Sequence, residues 1–145
     1  MKVSGILSTK PGDVITAHPQ QTIQEAIGIL AARNIGALLI VDDVGKLVGI
    51  LSERDIVRKA VMHKGVFDLP VAEVMTTHVV TALPQDDLMS VAHTMTEKRF
   101  RHMPILDSDG ELIGMISIGD VLKAQRDKYR GEIDTLETQL MADED

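Results

Sequence analysis

The chain has 145 residues, 44% of them apolar, and a formal net charge of −7. That is enough apolar material for one ordinary domain or two very small ones, and it excludes wholesale disorder. The absence of cysteine excludes disulfides, zinc–thiolate sites and thiol catalysis, and fits a reducing cytoplasm. The charge is uneven: residues 131–145 hold six acids and no base, which leaves 15 bases and 16 acids elsewhere. A near-neutral body with an acidic tail is not the footprint of a nucleic-acid backbone binder. Two Phe, one Tyr and no Trp give no stacking platform for single strands. No apolar run approaches the ~18 residues of a membrane span, and the first residues lack a signal peptide's long apolar region.

In chain order, residues 3–8 read as a short leading helix. Val14-Ile15-Thr16 reads as a short strand that stops before Pro19. Thr22 and Glu25 form a capping-box pattern, and Ile23, Ala26, Ile27, Leu30 and Ala31 follow with helical spacing. Ala37–Val41 and Leu47–Leu51 are apolar strands joined by Asp42-Asp43-Val44-Gly45-Lys46, a hairpin signal. A closing helix starts at Ser52. A linker over 63–70 contains the breakers Gly65 and Pro70.

The same series then recurs. A leading helix falls at 71–76, a strand at Val79-Val80-Thr81 before Pro84, and a helix after Asp87 with Leu88, Val91, Ala92 and Met95 on one face. Two strands, Met103–Leu106 and Leu112–Ile116, flank the turn Asp107-Ser108-Asp109-Gly110-Glu111, and a closing helix starts at Ser117. An ungapped offset of 65 aligns Pro19 with Pro84, Asp42 with Asp107, Gly49 with Gly114, Ser52 with Ser117 and Asp55 with Asp120. Upstream, Val3, Ile6 and Leu7 answer Val71, Val74 and Met75, and Lys10-Pro11-Gly12 is an extra loop of the first copy. The expected fold is α/β (α+β), with repeats over 3–63 and 71–125 and an acidic tail over 126–145. A unit of ~60 residues buries too little surface alone. Two copies imply a face-to-face pair with pseudo-two-fold symmetry and a crevice holding two related sites.

Val74-Met75-Thr76, Met103-Pro104-Ile105-Leu106-Asp107 with Gly110, and the doubled Gly-apolar-apolar-Ser-x-x-Asp carry a resemblance to tandem CBS domains. This is the cystathionine-β-synthase-type pair often called a Bateman module. The resemblance covers about residues 3–125 and implies a β-α-β-β-α core in each repeat. One departure is that the first copy has Leu39 where the second has Pro104.

The Ser-x-x-Asp junction has two readings, which are compatible. As structure, Ser52 and Ser117 cap a helix, and Asp55 and Asp120 suit its positive end. As chemistry, a carboxylate at a strand-to-helix junction can accept both hydrogen bonds of a ribose diol, and the helix start adds an anion site. The family resemblance implies residue by residue that one site contains Asp120, Ser117, Met115 and Gly119, with Ile15, Thr16, Ala17, Ile35 and Gly36 around the base. The other contains Asp55, Ser52 and Ile50, with Val80, Thr81, Ala82 and Phe100. It further places Arg101 and His102 at phosphate positions, while Lys98 and Arg99 read as a solvated helix end. Arg54 is a further phosphate candidate near Asp55, where the second copy has Gly119. The two sites are therefore expected to differ in ligand or affinity.

The implied function is a stand-alone regulatory or sensor module that binds adenine nucleotides (AMP, with NAD or ATP as further candidates) and reports to a partner protein. It is not an enzyme on this reading. No nucleophile elbow, P-loop or dinucleotide glycine motif is present, and the five histidines form no i, i+3 or i, i+4 pair for a metal. The alternatives are a dimerisation module without a ligand and a small nucleotide-transforming enzyme. In the tail, Leu122, Tyr129, Ile133, Leu136 and Leu140 approach a heptad seam. They serve either packing on the tail's own module or a homodimer contact, and the family resemblance favours the homodimer.

Overall fold

A computed structural model describes residues 1–10 and 14–143. Pro11 and Gly12 of the extra loop, and the last two residues of the tail, lie outside the described residues. The chain opens with α1 (Val3–Leu7) and a two-residue strand β1 (Thr16–Ala17). Then come α2 (Ile23–Arg33), β2 (Ala37–Val41), β3 (Leu47–Ser52) and α3 (Glu53–Met62). Two 3-10 turns, Val66–Asp68 and Val71–Glu73, lead to α4 (Leu88–Lys98), β4 (His102–Leu106), β5 (Leu112–Ser117) and α5 (Ile118–Asp143).

Local chemistry explains the elements. Thr22 Oγ1 accepts the Glu25 N–H at 3.2 Å and starts α2. Asp87 Oδ2 accepts the Ser90 N–H at 3.0 Å and starts α4. Both helices end alike: Ile35 N–H reaches Leu30 O, Phe100 N–H reaches Met95 O, and Asn34 and Arg99 take left-handed φ of 52° and 60°. Asp42 Oδ1 accepts the N–H groups of Val44 and Lys46, and Asp107 Oδ1 those of Asp109 and Glu111. The left-handed Gly45 and Gly110 complete these two matching hairpins.

The first repeat forms a three-stranded sheet in the order β1-β2-β3, with β1 parallel and β3 antiparallel to β2. The second repeat forms only β4-β5. The expected strand over 79–81 is reduced to a single parallel bridge between Ala82 and Ile105. Pro104 is the cause: it stands where β2 has Leu39, and without an N–H it cannot supply that rung. The expected helix over 71–76 is likewise shortened to a 3-10 turn. Thr76 is drawn out to exchange two backbone hydrogen bonds with Ile50, at 2.8 and 2.9 Å.

There are two apolar cores, and the leading segments are exchanged between them. Val3 and Ile6 of α1 pack with Ala82, Leu88, Met95, Ile105, Ile116 and Val121 of the second repeat. Val66 and Val71 pack with Ile23, Leu38, Ile40 and Leu51 of the first, so the linker region is built into that core. The main chain repeats the exchange: Val3 N–H donates to Asp86 O and Ser4 N–H to Pro84 O, as Val71 N–H donates to Gln21 O and Ala72 N–H to Pro19 O. As far as Asp143, the expected tail from 126 is not a separate element but the continuation of α5. The glycines within α5 are Gly119, in its first turn, and Gly131, and one glycine costs about 1 kcal/mol without stopping a helix.

Candidate functional site

Each closing helix starts on a reciprocal capping box. Ser52 Oγ accepts the Asp55 N–H at 3.1 Å, and Asp55 Oδ2 accepts the Ser52 N–H at 2.9 Å. Ser117 Oγ accepts the Asp120 N–H at 3.1 Å, and Asp120 Oδ2 accepts the Ser117 N–H at 2.8 Å. The capping reading of the motif therefore holds at both junctions. Each cap also holds a carboxylate at the positive end of a helix, in a fixed rotamer. The residues before β2 and β4 tie in as well: Gly36 O accepts the Glu53 N–H at 3.0 Å and Arg101 O the Ile118 N–H at 2.9 Å.

The junctions differ in what reaches them. At Asp55, Thr76 Oγ1 donates to Oδ1 at 3.3 Å, and the Thr76 main chain pairs with Ile50. At Asp120, Lys10 Nζ donates to Oδ2 at 2.9 Å and to Met115 O at 2.7 Å. Met115 is the counterpart of Ile50. One ammonium thus meets the carbonyl that the Thr76 backbone covers in the other repeat, and it meets the carboxylate at Oδ2 where the Thr76 hydroxyl meets Oδ1. Among the described residues, Asp120 Oδ1 accepts no hydrogen bond.

Lys10 escaped the sequence reading because it lies in the extra loop that interrupts the repeat. A lone cation in an insertion unique to one copy was the available signal.

Lys10 also sets the local field. Partial burial pushes the Asp120 carboxyl up, but the hydrogen bonds from Lys10 and Ser117, with the Lys10 charge, outweigh it and hold the group below 3.8. Burial pushes the His102 imidazole below 6.5. Lys10 and Arg101 act in the same direction, and Asp120 and Glu53 oppose them. Glu53 opens α3 in the other repeat, so one field spans both helix starts. His102 lies opposite Ser117 in the β4–β5 ladder.

The remaining sequence-assigned residues fall into three groups. Ala17 and Ala82 are buried in the two cores, and both amide groups of Ala82 are engaged with Pro104 and Leu106. Ile15 and Ile35 pack against the first core and Val80 against the second, and Thr16 pairs with Leu39. Phe100 is half-buried, whereas Arg54, Arg101 and Gly119 are exposed.

Thr81 lines a hollow of about 200 Å³ with Lys46, Leu47, Val48 and Val79, where the repeats meet. A second hollow, of about 280 Å³, lies between Ile27, Ile35, Glu53 and Val57. Neither is lined by Asp55 or Asp120. Among the described residues no three His, Asp or Glu side chains cluster as metal ligands.

Comparison with known proteins agrees with this architecture. A family model described as CBS domain matches residues 3–61 and 71–127. The CBS domain-containing protein YhcV of Bacillus subtilis is 34% identical over 119 residues, covering 82% of this chain and 84% of YhcV. The solved CBS-domain protein ATU1752 of Agrobacterium tumefaciens is 37% identical with a TM-score of 0.82, covering 86% of this chain and 99% of that one. The solved CBS domain pair of protein MJ0100, in complex with 5-methylthioadenosine and S-adenosyl-L-methionine, is 34% identical with a TM-score of 0.77. The alignment covers 88% of this chain and 98% of that one. With both repeats matched and the fold shared throughout, the chain belongs to the CBS-domain family, as a pair of CBS repeats.

Proposed function

We propose that this CBS pair is a regulatory module that binds an adenosine-bearing ligand at its strand-to-helix junctions and passes its ligand state to a partner protein. The observation that carries this reading is Asp120. It is a half-buried carboxylate, held ionised by its surroundings and fixed by a cap, with Oδ1 free of hydrogen bonds among the described residues. Such a group suits a ribose diol. The likeness to the MJ0100 pair supports adenosine-bearing ligands as the class. AMP is our first candidate, with ATP and NAD as larger ones.

The ligand is bound and released unchanged, in the cytoplasm. Its energetic effect is to favour one relative arrangement of the repeats. The domain limits we assign are 3–63 and 71–125, with a tail from 126.

A thermal-shift series with AMP, ATP, NAD, 5-methylthioadenosine and S-adenosyl-L-methionine tests this reading, because a specific ligand raises apparent stability. At least one is expected to raise the melting temperature of the wild type and to lose most of that effect in Asp120→Ala. No shift with any of them, or equal shifts in Asp120→Ala, would refute the assignment. Recovery of altered nucleotide after incubation would replace binding by catalysis.

The tail favours a second element of the reading, a homodimer. Tyr129, Ile133, Leu136 and Leu140 are all more than half exposed on α5, at spacings that leave one apolar stripe without a partner among the described residues.

A further inference from the structure

We propose that Lys10 is a built-in occupant of the Asp120 junction, which an adenosine-bearing ligand must displace. The inference rests on the reading of Asp120 as a ligand carboxylate and adds a competitor to it. Lys10 Nζ sits between Asp120 Oδ2 at 2.9 Å and the Met115 carbonyl at 2.7 Å. A carboxylate beside a main-chain carbonyl is also what the hydroxyl and amino donors of a nucleoside would seek. The ammonium thus satisfies in advance two of the acceptors that would draw the ligand, Asp120 Oδ2 and Met115 O, and leaves Oδ1 open.

The comparison between repeats gives the contact its meaning. At Asp55 the matching acceptor, Ile50 O, is held by the Thr76 N–H, and the Ile50 N–H donates back to Thr76 O. Freeing that junction requires two backbone hydrogen bonds to break. Freeing Asp120 requires one side chain on a flexible stem to swing away, and Lys10 is already 37% exposed. The Asp120 junction is therefore the one that opens.

Lys10 also sits on the crossover from α1, which is docked on the second repeat, to β1, which is paired in the first.

The test follows adenosine and AMP binding to the full chain by calorimetry and through the Met115 methyl resonance. The proteins are wild type, Lys10→Met and Lys10→Gln. Loss of the occupant is expected to tighten adenosine binding about three- to tenfold in both variants, because the binding-competent fraction rises. Unchanged or weaker adenosine binding in the variants overturns the proposal. Weaker AMP binding with adenosine unaffected overturns it too, since Lys10 would then be a phosphate ligand. If neither ligand moves the Met115 resonance in any of the three proteins, the nucleotide reading fails and the proposal with it. A wild-type Met115 shift that both variants reproduce at unchanged affinity leaves that reading standing and removes the occupant alone.

Discussion

Gly49 faces the Thr76 carbonyl so closely that a Cβ at position 49 would lie 3.0 Å from its oxygen and 2.6 Å from the Met75 sulfur. At the equivalent Gly114, the three nearest atoms all belong to the Leu7 side chain, with Cδ2 at 2.6 Å. A side-chain tip can rotate away, whereas a carbonyl in a paired bridge cannot. Gly49→Ala is therefore expected to cost about 1–3 kcal/mol, and Gly114→Ala less. Urea unfolding of the two variants checks the order, and equal losses would contradict it.

Arg99 and Asn34 end α4 and α2 in the same left-handed conformation. Asn tolerates that region and Arg does not, so one of two matching caps carries strain. Arg99→Gly is expected to stabilise the chain by about 0.5–1 kcal/mol. The same replacement at Asn34 should change little. Chemical denaturation at neutral pH measures both.

His102 makes the fold sensitive to acid. Its imidazole lies below 6.5 in the folded chain, so the unfolded chain takes up the proton first. Stability then declines as the pH falls from 6.5 toward the folded value. Asp120 adds a second loss only at lower pH: its folded carboxyl lies below 3.8, and its contribution disappears as the pH falls through that depressed value. The melting temperature of the wild type is expected to fall between pH 7 and pH 5, and to fall less in His102→Gln. Parallel curves for the two proteins would show that the titrating group is elsewhere.

The stripe on α5 predicts a concentration-dependent mass. Ile133→Asp or Leu136→Asp is expected to shift sedimentation toward the monomer and to leave the melting of the two cores nearly unchanged. A wild type that sediments as a monomer at working concentration would dispose of the contact.

The repeat, the hairpins and the caps were legible because each is written locally. Asp42 with Gly45, Thr22 with Glu25 and Ser117 with Asp120 state their turns within a few positions. The loss of the expected 79–81 strand was not foreseen, although Pro104 carries the signal in its missing N–H. The exchange of α1 and the Val66–Val71 segment was not legible. Periodicity tells that Val3 and Ile6 share an apolar face, but carries no information about which of two similar cores receives it. Lys10 was hidden for a related reason: its partners lie more than a hundred positions away, and no local pattern announces a long-range ion pair.

The exchanged leading segments also bear on the order in which the protein is made. The first core draws its outermost pieces from Ala17 to Val71, so it can close as soon as that stretch has left the ribosome. The second core needs Val3 at one extreme and Val121 at the other. Val3 and Ile6 thus wait unburied until the chain has been extended as far as Val121. Closure of so long a loop makes the second core the slower one, and a nascent chain stopped before β5 would carry a finished lobe and an unclaimed helix.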